Sequence, residues 1–127
     1  MRQKKTLSLV LALAAVLCFS AISFAGTLTD IVKRGELRVA VQSGAPPYAF
    51  IDKHGEHAGS MVAFAKGMAE AMGVKMVVLD CDWDGLIPAL LSGKADILAA
   101  DMTHTLKRAL KITFTDPWIE VQPCIFT

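Results

Sequence analysis

The sequence has little of what several function classes require. Beyond its first five residues it carries no cluster of Lys and Arg, it has no internal repeat and no low-complexity linker, and its 127 residues hold only three cysteines and one tyrosine. Without a basic patch it has no footing for phosphate-backbone binding, which excludes nucleic acid as a partner. Nucleophilic chemistry finds no setting either. Cys81 has no partnered base in its vicinity, and "HTLKR" lacks a third residue to orient a base. Two segments resemble metal sites only in part. "DCDWDG" places acids at positions 1, 3 and 5 and glycine at 6 of a calcium loop, but Leu91 stands where the bidentate glutamate is needed. "HGEH" offers two imidazoles and one carboxylate on a turn with no second ligand group nearby, which reads as a solvated hairpin. No metal or cofactor is expected.

A further absence is local. The first 25 residues contain no acid; they run from Arg2, Lys4 and Lys5 through an apolar stretch at 7–19 to Ser23-Phe24-Ala25. This is the pattern of a cleavable secretory signal peptide, with cleavage expected before Gly26 and delivery to the periplasm. Bulky Leu17 before Cys18 argues against a lipid anchor. Three of the 13 Lys and Arg, and none of the 12 Asp and Glu, lie in this leader, so the remainder has 10 basic against 12 acidic residues, a formal charge of −2. About 100 mature residues can bury one modest core. Cys81 and Cys124 remain in an oxidising compartment, where a disulfide and two free thiols are both open readings.

Helical and strand patterns alternate along the mature chain. Residues 29–34 predict a short helix stopped by Gly35, and "LRVAV" at 37–41 a buried strand. "SGAPPYAFIDKHGEHAG" predicts a loop and a hairpin, with 48–51 as its first strand and His54-Gly55 in the turn. Met61, Phe64, Ala65, Met68 and Met72 recur at helical spacing before Gly73. A strand at 74–79, a helix at 86–91 with Pro88 in its first turn, and a buried strand in "ADILAA" follow. Apolar strands separated by helices imply a mostly parallel α/β sheet, whose ligands sit beyond the carboxyl ends of the strands. The loop opening at Asp101 lies at such an end.

That loop leads into "THTLKRAL". Thr105 is a good N-cap, but the position three residues on, where Glu or Gln would complete a capping box, holds Arg108. A cation there opposes the helix dipole at a cost of about 0.3 to 1 kcal/mol. Two readings stand: Arg108 points into solvent, or it answers a carboxylate ligand, which a forked guanidinium and free N–H groups at a helix start both bind.

The order "PPYAF", "GEHAGSMVAFAKGMAEAMG", "DWDGLIPALLSGKADI", "ADMTHTLKR" and "FTDPW" closely resembles the periplasmic solute-binding proteins of family 3, receptors of polar amino acid ABC transporters. The likeness runs from about Leu28 to the C-terminus. It implies two α/β lobes of the type II periplasmic-binding-protein class that close over an amino acid without catalysis. In this chain it implies an N-terminal lobe over 26–127 that ends in the first hinge strand, with the second lobe missing. By the same resemblance Arg108 would pair with the ligand α-carboxylate, Thr103 would offer its hydroxyl and the Asp101 backbone carbonyl would accept from the α-ammonium. Thr105 would cap the helix and lend its N–H. Trp83 would pack on the ligand side chain, and Tyr48 would stand in the first loop. Trp83 also reads as lobe packing, and Tyr48 as a hairpin core residue. The partners implied are a small amino acid ligand and a membrane permease.

Departures from the family pattern are specific. Met61 and Ala63 replace two acids at the helix start, and Gln42 and Ala45 stand where an acid and a stacking aromatic are common. Side-chain specificity therefore does not carry over. Asp101 occupies a position often held by a small residue, which suggests a cationic ligand such as arginine or lysine. A lone lobe supplies the clamp but not the opposite wall of a cleft, so weak binding is expected. A cyclohexadienyl dehydratase-like enzyme, with Asp82, Asp84 and Asp101 as candidate acids, and a periplasmic sensor domain are the alternatives on the same fold.

Overall fold

The computed structural model describes residues 27–117 and residue 119. The proposed signal peptide, Trp118, Cys124 and the expected hinge strand lie outside the described residues. Contacts divide the chain into a unit ending at Asp30, described only at 27–30, and a unit running from Ile31 to Thr127.

The elements are α1 (Thr27–Arg34), β1 (Glu36–Val41), β2 (Gly44–Ala45), β3 (Ala49–Ile51), β4 (His57–Ala58), α2 (Ser60–Ala71), β5 (Lys75–Asp80), α3 (Trp83–Leu91), β6 (Ile97–Leu98) and α4 (Leu106–Ala109). Gly35 stops α1 at φ +74, a conformation only glycine adopts freely, and its N–H closes on the Ile31 carbonyl at 2.9 Å. Among the described residues no helix is long and apolar enough to cross a membrane.

β5, β1 and β6 form a parallel sheet in that order, with Glu36 opposite Lys75 and Val39 opposite Ile97. The chain leaves β1 towards one side to make β5, then crosses back to place β6 on the other side. Right-handed crossovers run in opposite directions must put their helices on opposite faces. The core shows this division. Leu37, Val39 and Val41 of β1 pack with Met61, Val62, Ala65 and Ala69 of α2, whereas Ala40 packs with Leu86 and Ala89 of α3. The parallel α/β lobe predicted from the alternating patterns is thus present.

Particular expectations need correction. Phe64, placed on the buried stripe of α2, is 56% exposed, and Val62 and Ala69 take its place. Small residues at 65 and 69 let the helix lie close on the sheet, which turns the bulky ring to the rim. α3 begins at Trp83 rather than Leu86, so Pro88 lies inside the helix and not in its first turn. Asp82 in extended conformation precedes it as N-cap residue without a side-chain capping bond, and Asp84 in the first turn favours the helix dipole. "ADILAA" shrinks to the two-residue β6, although Asp96 and Ala99 continue the bonding to β1 through Arg38 O and Ala40 O at 2.8 and 2.9 Å.

β2, β3 and β4 form a separate antiparallel sheet. Ser43 anchors it, its N–H donating to Asp80 Oδ1 at 3.1 Å and its hydroxyl lying 2.9 Å from His57 Nδ1. Asp52, His54 and Glu56 form a hydrogen-bonded turn, with the His54 and Glu56 N–H groups both donating to Asp52 Oδ1.

Candidate functional site

Strand order reverses about β1, and ligands in open α/β sheets bind beyond the carboxyl ends of the strands where this happens. Three connections emerge at that end: the loop after β1 at Gln42, the turn after β5 that leads to Trp83, and the loop after β6 that leads to Arg108.

The last of these begins at Asp101. Thr105, extended at φ −129, caps α4, its hydroxyl accepting from the Arg108 N–H at 3.4 Å. α4 spans four residues, so Arg108 is as close to the carboxyl end as to the amino end. The dipole conflict read from the sequence therefore largely disappears; a one-turn helix has no extended dipole to oppose.

What distinguishes Arg108 is its surroundings. Every other residue of α4 is exposed, while Arg108 is half-buried. Its guanidinium carbon lies 5.3 Å from the Trp83 ring centroid, and Nη1 donates to the Thr103 carbonyl at 2.9 Å. Trp83 in turn rests on the core below, packed against the cluster of Ala40, Leu86, Ala89 and Ala95. The guanidinium is thus held on one face by an aromatic ring and along one edge by a carbonyl, with its remaining N–H groups open. It is not the freely solvated cation that one of the two sequence readings allowed.

Arg108, Trp83 and Thr105 line a depression of about 510 Å3 together with Asp84, Met102 and Lys107, and with Ile87, Pro88, Leu91 and Lys111 further along. One wall, contributed by α3, is apolar apart from Asp84; the other, contributed by α4 and by Lys111 just beyond it, is cationic. Pro88 has no N–H to give the Asp84 carbonyl, so that acceptor lacks its helical partner. Sequence reasoning missed Met102 and the outer face of α3, whose apolar residues resemble ordinary core positions in a linear pattern.

The other expected residues are placed as follows. Asp101 and Thr103 are exposed on the loop after β6. Tyr48 packs on the core cluster of β1 and α2 and does not line the depression, and its carbonyl accepts from the Met61 N–H at 2.9 Å. Of the six residues, Arg108, Trp83, Thr103 and Thr105 are brought together. Asp82 and Asp84, the candidate acids of the enzyme alternative, are both exposed. Cys81 is half-buried with a free thiol. Among the described residues no group of three or more His, Cys, Asp or Glu could hold a metal ion.

Comparison with known proteins gives a consistent picture. The model of the bacterial extracellular solute-binding proteins, family 3, matches residues 37–127. The L-cystine-binding protein TcyJ of Escherichia coli (strain K12) is 32% identical over 111 residues, covering 86% of this chain and 42% of that protein. A cyclohexadienyl dehydratase of Pseudomonas aeruginosa is 29% identical over 92 residues, 72% of this chain and 34% of the enzyme. The chain therefore spans less than half the length of these curated relatives. Among solved structures, the ancestral cationic amino acid solute binding protein AncCDT-1 superposes with a TM-score of 0.72 at 42% identity, over 74% of this chain and 41% of that one. The arginine-bound form of domain 1 from TmArgBP superposes with a TM-score of 0.69 at 38% identity, over 70% of this chain and 71% of that one.

Proposed function

The chain belongs to the bacterial extracellular solute-binding proteins of family 3, and on that premise we propose that it is an amino acid-binding lobe of an ABC uptake receptor, acting in the periplasm with a membrane permease. The observation that carries this reading is the half-buried Arg108 guanidinium, braced by Trp83 and the Thr103 carbonyl. A planar fork fixed in this way matches a planar carboxylate, to which it donates two parallel charge-assisted hydrogen bonds. The Thr103 hydroxyl would add a donor to the same carboxylate, and the Asp101 carbonyl would accept from the α-ammonium.

The ligand proposed is a cationic amino acid. Asp84 lines the same depression as Arg108 and Asp101 opens the loop that leads to it, so that a carboxylate is at hand to meet a second positive group, and the structural neighbours include an arginine-bound protein domain. That neighbour is a single domain, which supports binding by one lobe. A leader over 1–25 and a solute-binding lobe over 26–127 complete the proposed organisation.

Relatives in this family include an enzyme, but a binding role suits this chain better. Catalysis by a carboxyl group relies on a site sheltered from bulk water, and Asp82, Asp84 and Asp101 are all exposed. Calorimetry of the full chain with L-arginine, L-lysine, L-histidine, L-cystine and L-glutamate tests the reading. Saturable binding without turnover is expected, with loss of binding in Arg108→Ala and an unchanged circular dichroism spectrum. Equal affinity in Arg108→Ala would sink the clamp assignment.

A further inference from the structure

We infer that β5 is a self-association edge, through which two copies of this chain pair antiparallel about a two-fold axis at Val78, so that one sheet continues through both. The inference is independent of the amino acid site and of what that site binds.

β5 is six residues long, stands at the end of the parallel sheet and pairs with β1 alone. The Lys75 N–H donates to the Gly35 carbonyl and the Cys81 N–H to the Val41 carbonyl, both at 2.9 Å. Bonding residues alternate along a parallel ladder, so positions 75, 77, 79 and 81 face β1, while Met76, Val78 and Asp80 turn their N–H and C=O groups to the outer edge. Among the described residues nothing bonds to those groups. Exposed edges are commonly blunted by a proline, a bulge or a charge set within the strand. Between its charged ends β5 has only Met76, Val77, Val78 and Leu79, all half-buried. Its two faces are already occupied, Met76 and Val78 packing on the cluster shared with α2 and Leu79 on the cluster shared with α3. The open feature is the row of backbone groups, which is the template for another strand.

The register favours a second copy as that strand. A two-fold axis that continues a sheet keeps each face on its own side, so it must pass through a residue and not between two. With the axis at Val78, that residue meets its own counterpart and Met76 meets Asp80 of the second copy. These pairs join outward-facing residues, which is what the hydrogen-bonded pairs of an antiparallel ladder require. All three outward positions are used, and on the other face Val77 meets Leu79 of the second copy. No like charges are opposed. An axis at Val77 would instead leave Asp80 opposite Val74, beyond the start of the strand.

Charge agrees with this register. Lys66, Glu70 and Lys75, with Ala69, Val74 and Met76, line a depression of about 330 Å3 beside the amino end of β5. Two cations and one carboxylate leave it net positive, and Met76 in its lining is the residue that Asp80 of the second copy meets. Asp80 is exposed, and its Oδ1 accepts from the Ser43 N–H, which leaves Oδ2 for the lysines.

Sedimentation equilibrium of the full chain, together with hydrogen exchange followed by NMR, tests the inference. A monomer–dimer equilibrium is expected. The Met76, Val78 and Asp80 N–H groups should be protected at high protein concentration and exchange faster on dilution, while those of Lys75, Val77 and Leu79 stay protected throughout. Two variants at one position check the register. Met76→Asp sets a carboxylate against Asp80 of the second copy, twice over by symmetry, and should weaken the dimer by about two- to thirtyfold. Met76→Lys sets an ammonium there and should strengthen it by about the same factor. Equal effects of the two charges would overturn the register and with it the inference. A chain still monomeric at millimolar concentration would overturn it as well, and so would a dimer whose outward N–H groups exchange freely, because association would then use another surface. If neither variant folds, the exchange pattern of the unaltered chain decides the matter alone.

Discussion

Asp96 and Arg38 hold each other twice. The Asp96 N–H donates to the Arg38 carbonyl at 2.8 Å, while the Arg38 N–H donates to Asp96 Oδ2 at 2.8 Å and its guanidinium donates to the same carboxylate through Nε and Nη2. Arg34 adds a further charged donor. The carboxylate is 3% exposed, so the pair ties the amino ends of β1 and β6 from a sheltered position. Burial pushes the Asp96 carboxyl up, but the hydrogen bonds from Arg38 and Arg34 outweigh it and hold the group below the ordinary carboxylate value.

A carboxyl with a lowered folded pKa stabilises fully above its unfolded pKa of about 3.9, and that stabilisation is lost as pH falls through the lower folded value. Urea denaturation of the unaltered chain should therefore show stability falling below about pH 4. Asp96→Asn should lose about 1.5 to 3 kcal/mol at pH 7 and show a flatter acid limb. An unchanged midpoint at pH 7 would mean that the network contributes nothing net.

Gly59 has φ +117 and ψ 168, and a Cβ built on it would lie 2.3 Å from the Tyr48 carbonyl oxygen. Gly59→Ala must strain the backbone or part α2 from the hairpin, with an expected loss of at least about 2 kcal/mol. Gly67, inside α2, has nothing within 4 Å of its would-be Cβ. Gly67→Ala should therefore stabilise by about 0.5 to 1 kcal/mol. Thermal melts of both variants check the contrast, and equal shifts would contradict it.

Leu86, inside α3, is fully buried, whereas Leu110, the residue that follows α4, is 80% exposed. Truncating Leu86 to alanine should cost about 2 to 5 kcal/mol, whereas Leu110→Ala should change stability by less than about 0.5 kcal/mol. Denaturant midpoints distinguish the two, and a large loss in Leu110→Ala would reveal a covered surface.

Arg108→Lys keeps the charge and loses the fork. Amino acid affinity should fall by at least about tenfold, since a point charge cannot reproduce paired parallel donors. Calorimetry against the unaltered chain measures this directly. Equal affinity would show that charge alone suffices.

Much of this was legible in the sequence. Gly35, Gly55 and Gly73 marked element ends correctly because a positive φ is a local requirement. Arg108 was legible through the odd residue in a capping position, although the dipole argument for it was not sound in a one-turn helix. The start of α3 was missed because "DCDWDG" carries no apolar period, while an extended Asp82 and an acidic first turn begin the helix there. Phe64 was misplaced because spacing alone does not tell which of two adjoining faces meets the sheet. The Arg38–Asp96 link could not be read at all: 58 residues separate the partners, and only the pairing of β6 with β1 brings them together.

The parallel sheet separates two kinds of residue along one axis. Arg38 and Asp96 fasten the amino ends of the strands, while Trp83, Thr103 and Arg108 follow their carboxyl ends. Loops at the upper rim can therefore be exchanged between homologous lobes without disturbing the lower fastening. A chain of this design can drift in what it recognises while keeping one unchanged chassis, so that new specificities need not begin with a loss of fold.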